Sequence, residues 1–332
     1  MINKFDFNDI LIKPAAVSYI ESRQDINPFY DGFLPLITAP MDTVIDNENE
    51  NLFTRANIVT CLPRGEKNNS KGFESYSLDE IHNKLLLNSL DPNGMYLIDI
   101  ANGHMEKLLI MTRAIKERHP NLKLMVGNVA NPETYVDLSN AGADYIRIGI
   151  GNGGGCSTTV HTGVGYPMGS LVRECYLASK LLGKPAKIVA DGGMQNYSDI
   201  IKALALGADF VMVGSLFNKA MDSCGDNYLW KFIRVPQGLA EIAYQCKIPV
   251  YKKFRGMSTK EVQKKWGKIT LTSSEGVIRF RRVKYSLNQW VNNFEDYLRS
   301  SMSYSNANNL EEFIGNAETI RITDNAFNRY NK

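Results

Sequence analysis

The chain has 332 residues, of which 44% are hydrophobic and 22% charged, a composition typical of a folded globular protein. Lys and Arg (38) nearly balance Asp and Glu (35), so the net charge of +3 gives no electrostatic argument for a nucleic-acid partner. No apolar run approaches the ~20 residues that span a bilayer, and Asp6 and Asp9 lie where a signal peptide would be apolar. We therefore expect a cytoplasmic protein without a nucleic-acid or membrane partner.

The cysteines and histidines give no sign of a disulfide framework or a metal site. An odd number of cysteines, without a CxxC pair or another short paired spacing, argues against structural disulfides and zinc. The four histidines likewise lack the spacing of metal ligands. We therefore expect free thiols in a reducing compartment, at Cys61, Cys156, Cys175, Cys224 and Cys246.

Short apolar runs rich in β-branched residues alternate with helical patterns along most of the chain. The runs predict buried strands at Pro35–Ala39, Ile58–Cys61, Met95–Ile100, Leu124–Gly127, Asp144–Ile150, Lys187–Ala190 and Asp209–Val213. Helices are predicted between them at Met105–Glu117, Pro132–Ala141, Ser170–Leu182 and Tyr197–Leu206. Near-continuous apolar strands separated by helices are typical of a parallel sheet that is covered on both faces.

The repeated βα unit favours an α/β fold of the (β/α)8 (TIM) barrel type over an open sheet. Two predicted helices lead through Ala-Gly-Ala-Asp (141–144) and Leu-Gly-Ala-Asp (206–209) into the next strand, where glycine supplies the left-handed helix end. We expect a single barrel domain over residues 1–332, with an inserted segment at 221–249 and a flap and C-terminal extension at 258–332.

The extension breaks the repeat. Ser258–Arg282 is polar and strand-like, Leu287–Leu298 is predicted to be helical, and Ser300–Asn309 is rich in Ser and Asn.

A glycine-rich loop follows the predicted strand at Asp144–Ile150. Residues 149–159 (GIGNGGGCSTT) place Cys156 at the end of the glycines, with hydroxyl side chains directly after it. Active sites of such barrels lie at the carboxyl ends of the strands, and glycines let a ligand approach the backbone. Cys156 is therefore predicted to be an exposed nucleophile with proton-transfer partners nearby. The alternative is a flexible loop whose cysteine only packs.

Two further loops follow predicted strands, Asp191-Gly192-Gly193 and Gly214-Ser215. Paired loops after the last strands of a barrel form its usual phosphate site, where backbone amides surround the anion. We therefore predict a phosphate site here, with Asp191 free to hold a ribose hydroxyl. Taken alone, each loop is an ordinary turn, and Glu275 is a solvated surface charge.

With these loops the chain resembles the IMP dehydrogenase/GMP reductase family, from about Phe7 to Ile322. The thiol loop is similar to the family's catalytic loop, and the two later loops are similar to its phosphate and ribose loops. Three more motifs fall in the family's order: Phe7–Pro14 (FNDILIKP), Ala39–Val44 (APMDTV) and Phe254–Ser258 (FRGMS). The last of these resembles the segment that contacts the base.

Several features resemble the reductase branch of that family. Asp99–Gly103 (DIANG), Gly163–Pro167 (GVGYP) and Arg299–Ala307 (RSSMSYSNA) are similar to reductase segments. The short stretch between Met257 and Glu275 lacks the Arg-Tyr pair with which dehydrogenases activate water. The chain also lacks the paired (CBS-type) regulatory modules that most dehydrogenases insert early in the barrel.

The resemblance implies reductive deamination of GMP to IMP and ammonia. In this mechanism the Cys156 thiolate attacks C2 of the purine, Thr158 and Glu275 carry the proton to the leaving amine, and NADPH reduces the resulting thioimidate. The alternatives are an IMP dehydrogenase, which converts IMP to XMP with NAD, and a purine-nucleotide-binding protein that has lost catalysis. Retention of all three residues argues against the last, because binding alone does not require them.

The resemblance also assigns ligand positions in this chain. The substrate set is Asp191, Gly192, Gly193, Gly214, Ser215, Gly256, Met257, Ser258, Ser274 and Gly276. The cofactor set is Ser22, Arg23, Asp99, Ile100, Ala101, Ile150, Gly151, Met257, Ser300, Ser301, Met302 and Ser303. The carbonyls of Gly151, Gly153 and Cys156 match positions that hold a monovalent cation, usually K+. The pair Ser22–Arg23 matches one that reaches the cofactor of a neighbouring subunit, which implies a homotetramer.

The chain departs from the family's pattern near several of these positions. Asn152 and Gly154 stand where the family has Pro and Ser, and that serine helps to bind phosphate. Thr159 replaces an Arg beside the cation site, and Thr272 replaces an Arg shortly before Glu275. We expect such changes to shift the substrate preference or to weaken activity.

Overall fold

A computed structural model describes residues 3–68, 71–266 and 275–330 of the chain. Its strands are β1 (Ile10–Ile12), β2 (Leu36–Thr38), β3 (Cys61–Leu62), β4 (Phe73–Tyr76), β5 (Met95–Asp99), β6 (Lys123–Val129), β7 (Tyr145–Ile148), β8 (Lys187–Asp191), β9 (Phe210–Val213), β10 (Asn227–Leu229), β11 (Ile233–Val235), β12 (Val250–Arg255), β13 (Ile278–Arg282) and β14 (Thr319–Arg321). Its helices are α1 (Glu50–Arg55), α2 (Leu78–Leu86), α3 (Glu106–Arg118), α4 (Pro132–Asn140), α5 (Thr158–Thr162), α6 (Met168–Ser179), α7 (Tyr197–Leu206), α8 (Gln237–Gln245), α9 (Lys260–Lys265), α10 (Leu287–Tyr304), α11 (Leu310–Phe313) and α12 (Asp324–Tyr330). Short 3-10 helices cover Phe7–Asp9, Arg23–Asp25 and Phe217–Lys219.

Strands β2 to β9 form a barrel. They pair side by side in the order β2-β9-β8-β7-β6-β5-β4-β3, and every pairing is parallel. The ends of this sheet meet where Val59, just before β3, pairs with Ile37 of β2. The amide of Thr38 donates to the Val59 carbonyl at 3.0 Å, and the amide of Val59 donates to Leu36 at 3.1 Å. The sheet is therefore closed, which confirms the predicted (β/α)8 barrel.

Alternation along each strand divides the apolar side chains between two cores. In β5, Leu97 packs inside the barrel, whereas Tyr96 and Ile98 pack against the surrounding helices. A strand buried on both faces therefore needs apolar residues at almost every position, which is why these runs are nearly continuous in the sequence.

A second, antiparallel sheet contains strands from the segment 221–249, which is predicted to be an insertion. Its strand order is β11-β10-β12-β13, and α8 packs beside it through Ala240 and Ala243. Residues 221–249 therefore supply two strands and a helix. The same sheet contains β12, which leads into the predicted base-contacting segment, and β13, which begins three residues after Glu275.

Three sequence-based expectations differ from the structure. The barrel strand β4 was not predicted, because Phe-Glu-Ser-Tyr is a polar and apolar mixture and not an apolar run. Ser258–Arg282, predicted to be strand-like, contains helix α9 as well as strand β13. Helix α10 extends past the predicted end at Leu298 to Tyr304, so Ser300–Ser303 form its last turn.

In the described part of the chain, no helix is long and apolar enough to span a membrane.

Candidate active site

A cavity of about 640 Å³ lies at the carboxyl ends of the barrel strands. Asp99 ends β5 and Asp191 ends β8, and both line it. The loops that begin at Gly149 and Gly214, directly after β7 and β9, also line it. The predicted thiol, phosphate and ribose loops therefore surround one space, as expected for a barrel enzyme.

The three residues predicted to be catalytic form a hydrogen-bonded chain in this cavity. The Cys156 sulfur lies 3.1 Å from Oγ1 of Thr158, and the Thr158 hydroxyl donates to Oε2 of Glu275 at 2.6 Å. Because the hydroxyl hydrogen is given to the carboxylate, the thiol is the donor to Thr158. This arrangement provides a path for a proton from the thiol to Glu275 and back.

Backbone pairing brings Glu275 to the thiol loop, although 118 positions separate Ser157 and Glu275 in the chain. The amide of Ser157 donates to the Glu275 carbonyl at 2.7 Å, and the amide of Val277 donates to the Gly155 carbonyl at 3.0 Å. Cys156 and Gly276 consequently form an antiparallel bridge. The carboxylate position is thus fixed by the backbone and does not depend on a flexible side chain alone.

Glycine is required where these segments approach each other. A Cβ added at Gly256 would lie 2.2 Å from the Gly155 carbonyl oxygen and 3.0 Å from the Cα of Gly276. Real side chains do not tolerate such distances, so glycine at 256 permits three backbone segments to meet around the thiol.

An ion-pair network lies below the cavity at the ends of β5 to β8. Arg147 donates from Nη1 to Oδ1 of Asp99 at 2.8 Å and from Nε to Oδ2 of Asp191 at 2.9 Å. Asn128 donates to the same Asp191 oxygen at 2.7 Å and to the Gly149 carbonyl at 2.7 Å. Burial lowers the pKa of Arg147, but the charges of Asp191 and Asp99 outweigh this and raise it, so the guanidinium stays charged.

The network orients Asp191 for the role predicted from the sequence. Both bonds to this carboxylate end on Oδ2, and no described residue gives Oδ1 a hydrogen bond. One oxygen is therefore held by the protein while the other is available to a ligand hydroxyl.

Most of the predicted substrate residues line the cavity. They are Asp191, Gly192, Gly193, Gly214, Ser215, Gly256, Met257 and Ser258. Gly276 does not line it but pairs with Cys156, and Ser274 lies outside the described residues.

The predicted cofactor residues fall into two groups. Asp99, Ile100, Ala101, Ile150, Gly151 and Met257 line the same cavity as Cys156. Ser22, Arg23 and the segment Ser300–Ser303 do not line it. The side chain of Met302 is fully buried in the hydrophobic core. The cofactor contacts predicted for Ser22, Arg23 and Ser300–Ser303 stay predictions. The Ser303 hydroxyl donates to the Ser300 carbonyl within the helix.

Two other cysteines are buried in the fold. Burial raises the pKa of Cys61 to about 12 and raises that of Cys175 as well, so both remain protonated and unreactive. Cys156 is partly exposed and lines the cavity, which distinguishes it as the nucleophile candidate.

A family model described as the IMP dehydrogenase/GMP reductase domain matches residues 83–330, which is most of the chain. The chain belongs to the IMP dehydrogenase/GMP reductase family. The recognition made from the motifs is therefore confirmed, and the protein is an oxidoreductase of this family.

Two GMP reductases align with nearly all of the chain, and an IMP dehydrogenase aligns with about two thirds of it. The GMP reductase of Caenorhabditis elegans is 30% identical over 357 aligned positions, which cover 98% of this chain and 94% of the relative. The GMP reductase of Shewanella pealeana is also 30% identical, with 99% and 98% covered. The inosine-5'-monophosphate dehydrogenase of Chlorobaculum parvum is 35% identical over a shorter alignment, which covers 68% of this chain and 44% of the relative.

The chain has only some of the features of the cation site that the family resemblance implies. Gly151, Gly153 and Cys156 lie in one loop, but the Gly153 carbonyl already accepts from the Cys156 amide at 2.9 Å. Thr159 donates its hydroxyl to the Val164 carbonyl at 2.8 Å and contributes no charge. Within the described ranges, no cluster of His, Cys, Asp and Glu suits a metal ion.

Sequence reasoning missed several residues that shape this family member's site. Arg147 was not singled out because it lies within an otherwise apolar strand. A lone charged residue in such a run nevertheless indicates a buried ion pair or a functional role. Arg64 donates to the Asp99 carbonyl, and its guanidinium lies 4.7 Å from the centre of the Trp266 ring. No local pattern marks Arg64 or Trp266, because their significance depends on contacts between distant segments.

Proposed function

We propose that the chain is a GMP reductase, which converts GMP to IMP and ammonia with NADPH as the reductant. The observation that carries the proposal is the hydrogen-bonded chain of Cys156, Thr158 and Glu275 in a cavity that the predicted phosphate and ribose loops also line. The alignments with GMP reductases over nearly the whole chain support the same activity.

The first half of the reaction forms a covalent bond to Cys156. The thiol transfers its proton through Thr158 to Glu275, and the thiolate attacks C2 of the guanine base. Glu275 then returns the proton through Thr158 to the exocyclic amine, which is a poor leaving group until it is protonated. The C2–N bond breaks, ammonia leaves, and a thioimidate joins C2 to the sulfur.

The second half releases IMP. NADPH, when bound, supplies the hydride that C2 accepts. The carbon–sulfur bond then breaks, the electron pair returns to Cys156, and the thiolate takes up a proton. Asp99, Ile100 and Ala101 line the cavity beside the thiol loop, so these residues suit the proposed nicotinamide position.

Asp191 and the network behind it position the sugar. Oδ1 of Asp191, which no described residue contacts by a hydrogen bond, accepts a hydrogen bond from a ribose hydroxyl. The bonds from Arg147 and Asn128 to Oδ2 keep the carboxylate from rotating. The glycine loops at 192–193 and 214–215 supply backbone amides to the phosphate.

IMP dehydrogenase is the second candidate, favoured by the 35% identity to the dehydrogenase of Chlorobaculum parvum. That reaction needs water to hydrolyse the thioimidate. Residues 258–274 contain neither Arg nor Tyr, so the usual activating pair is missing from this segment.

The deciding experiment follows the absorbance of reduced nicotinamide and the release of ammonia with purified protein, GMP and NADPH. We expect equimolar oxidation of NADPH and release of ammonia, with IMP as the product. NADH formation from IMP and NAD, without reaction of GMP, would instead assign the dehydrogenase activity. Binding of either nucleotide without turnover would indicate the catalytically silent protein.

The cation and the oligomer are further parts of the proposal. A K+ ion at Gly151, Gly153 and Cys156 would order the thiol loop, and a homotetramer would bring Ser22–Arg23 to a neighbouring subunit's cofactor. Replacing K+ by a larger organic cation should then lower turnover, and light scattering should give four chains per particle. Cation-independent turnover or a fully active monomer would contradict these two parts.

A further inference from the structure

Arg281 of β13 points its guanidinium at the glycine loop of the active site. Nη2 lies 3.5 Å from the Gly154 carbonyl oxygen, and the guanidinium lies 4.7 Å from the centre of the Phe254 ring. A Cβ built on Gly154 would stand 2.9 Å from this Nη2 and 3.7 Å from the Ser215 hydroxyl oxygen. The guanidinium and the Ser215 hydroxyl therefore flank the same point, next to two residues that line the cavity.

The charge of Arg281 has no counterion among the residues that the structure describes. Its Nε is buried without a hydrogen-bond partner. Two other partly buried arginines of the site region are ion-paired, Arg147 with two aspartates and Arg255 with Asp42 and Glu261. Burying an unpaired guanidinium costs free energy. A bound anion next to Arg281 would offset this cost.

The neighbouring ionisable groups are mostly cations as well. The pKa of Arg281 is lowered by burial and by the charge of Arg279. The pKa of Lys219 is lowered to about 8 by burial and by the charges of Arg281 and Lys284. A bound dianion would offset the mutual repulsion of these cations.

The loops predicted to hold phosphate lie at the same end of the cavity. Ser215 adjoins Gly154, as described above, and a Cβ built on Gly192 would stand 2.8 Å from the amide nitrogen of Gly153. Ser215, Gly192 and Arg281 therefore all lie close to residues 153–154.

We propose that Arg281 binds the 5'-phosphate of the nucleotide, reaching it past Gly154 and beside Ser215. A guanidinium offers two parallel N–H groups to a phosphate and stays charged at every working pH. This inference rests on the proposed function only in taking a purine nucleoside 5'-monophosphate as the ligand.

The Arg281 guanidinium occupies space that a side chain at position 154 would need. The family resemblance implies a phosphate-binding serine at position 154, but a Cβ there would lie 2.9 Å from Nη2 of Arg281. Glycine at position 154 leaves space for the guanidinium. Arg281 therefore replaces the serine hydroxyl as a phosphate-binding group.

The test compares nucleotide and nucleoside binding by calorimetry in the wild-type protein and its variants. Arg281→Met removes the charge, and Arg281→Lys keeps a charge without the two-pronged geometry. Arg282→Met is the matched control, because Arg282 is the next residue on the same strand and is exposed. Circular dichroism and the Tm verify that each variant is folded.

We expect Arg281→Met to weaken GMP and IMP binding by about ten- to a hundred-fold, the usual range for a hydrogen-bonded charge. Guanosine and inosine should bind it as they bind wild type, Arg281→Lys should be intermediate, and Arg282→Met should be unchanged. Adding Gly154→Ser to Arg281→Met should recover part of the lost nucleotide affinity.

Two results would overturn the assignment of Arg281. One is unchanged nucleotide affinity in Arg281→Met, and the other is an equal loss for nucleotide and nucleoside, which would indicate that Arg281 only packs on Phe254. A protein that binds monophosphates through Arg281 but does not turn over GMP would contradict the proposed function and leave this assignment standing. A wild-type chain that binds no purine monophosphate would overturn both.

Discussion

The surroundings of Cys156 distinguish this proposed nucleophile from the four other thiols of the chain. It lies at the cavity wall, and its sulfur is 3.1 Å from a hydroxyl that is itself bonded to a carboxylate. By contrast, Cys61 and Cys175 are fully buried. The proposed chemistry therefore depends on one sulfur and on the two residues that would take its proton.

Replacing Cys156 with Ala should abolish turnover and leave nucleotide binding largely intact. The substitution removes the nucleophile but none of the loops that hold phosphate and ribose, so we expect kcat to fall by about 10⁴-fold or more. Steady-state kinetics with a parallel binding titration measure both quantities. Turnover at the wild-type rate would refute covalent catalysis.

Thr158 and Glu275 should behave as one unit. Because Thr158 lies between the sulfur and the carboxylate, Thr158→Val and Glu275→Gln interrupt the same proton path. Each should slow ammonia release by about 10²- to 10⁴-fold, and the double variant should be little slower than the worse single one. First-turnover measurements of ammonia release give this comparison.

Glu275→Gln should also slow ammonia release more than the later hydride transfer to preformed intermediate. Equal slowing of both steps, or effects of the two substitutions that multiply, would show that the residues do not share a proton path.

Single residues were predictable where they sit in a local motif. Cys156 and the loops at 191–193 and 214–215 follow apolar strands, so their place at the barrel mouth could be inferred from the chain alone. Glu275 could be assigned only through the family resemblance, since its partner Thr158 is distant in sequence. Arg281 was not assigned at all, because its position depends on how β13 pairs with β12.

At the scale of elements, the pairing between the thiol loop and the segment before β13 holds the site together. Gly155, Gly256 and Gly276 meet at distances that exclude side chains. A small displacement here would move Glu275 away from Thr158 without disturbing the barrel core.

Gly256→Ala should therefore lower kcat by about 10²-fold, the effect expected of a displacement near 1 Å. The protein should remain folded, because the added methyl group acts on loops at the barrel mouth. Gly238→Ala is the matched control, since nothing lies within 4 Å of a Cβ at that position. Wild-type kcat in Gly256→Ala would contradict the claim that this contact positions the site.

Strands and helices could be predicted where the local hydrophobic pattern is strong. Seven barrel strands have continuous apolar runs, and these were found. Strand β4 is short and mixed, and its strand conformation depends on pairing with β3 and β5, which local propensity does not report. The four-stranded sheet of β10 to β13 was likewise not predicted, since its central strand β12 pairs with β10 and β13, which lie about 20 residues or more away in the chain.

On the scale of the whole molecule, the packing of α10 against the barrel holds the C-terminal extension in place. Trp290 of α10 is 1% exposed, and its ring lies 5.0 Å from that of Tyr197 on α7 and 5.1 Å from that of Phe217 after β9. It also stacks on Phe294 at 5.6 Å. This aromatic cluster joins the extension to helices of the barrel.

Trp290→Ala should lower the free energy of unfolding by about 3 to 5 kcal/mol, the usual cost of a large buried cavity. Trp230→Ala is the control, because Trp230 is 52% exposed and its loss should change stability by no more than about 0.5 kcal/mol. Denaturant unfolding of both variants measures the difference. Similar values for the two would contradict the anchoring role of α10.

The covalent intermediate provides the most direct test of the whole account. Wild-type protein is mixed with GMP and NADPH, quenched in acid during the first turnover, and its intact mass is measured. We predict a species with the mass of the chain plus GMP less ammonia, located on the peptide that contains Cys156 and absent from Cys156→Ala. Formation of IMP while Cys156 stays unmodified throughout the first turnover would contradict the account.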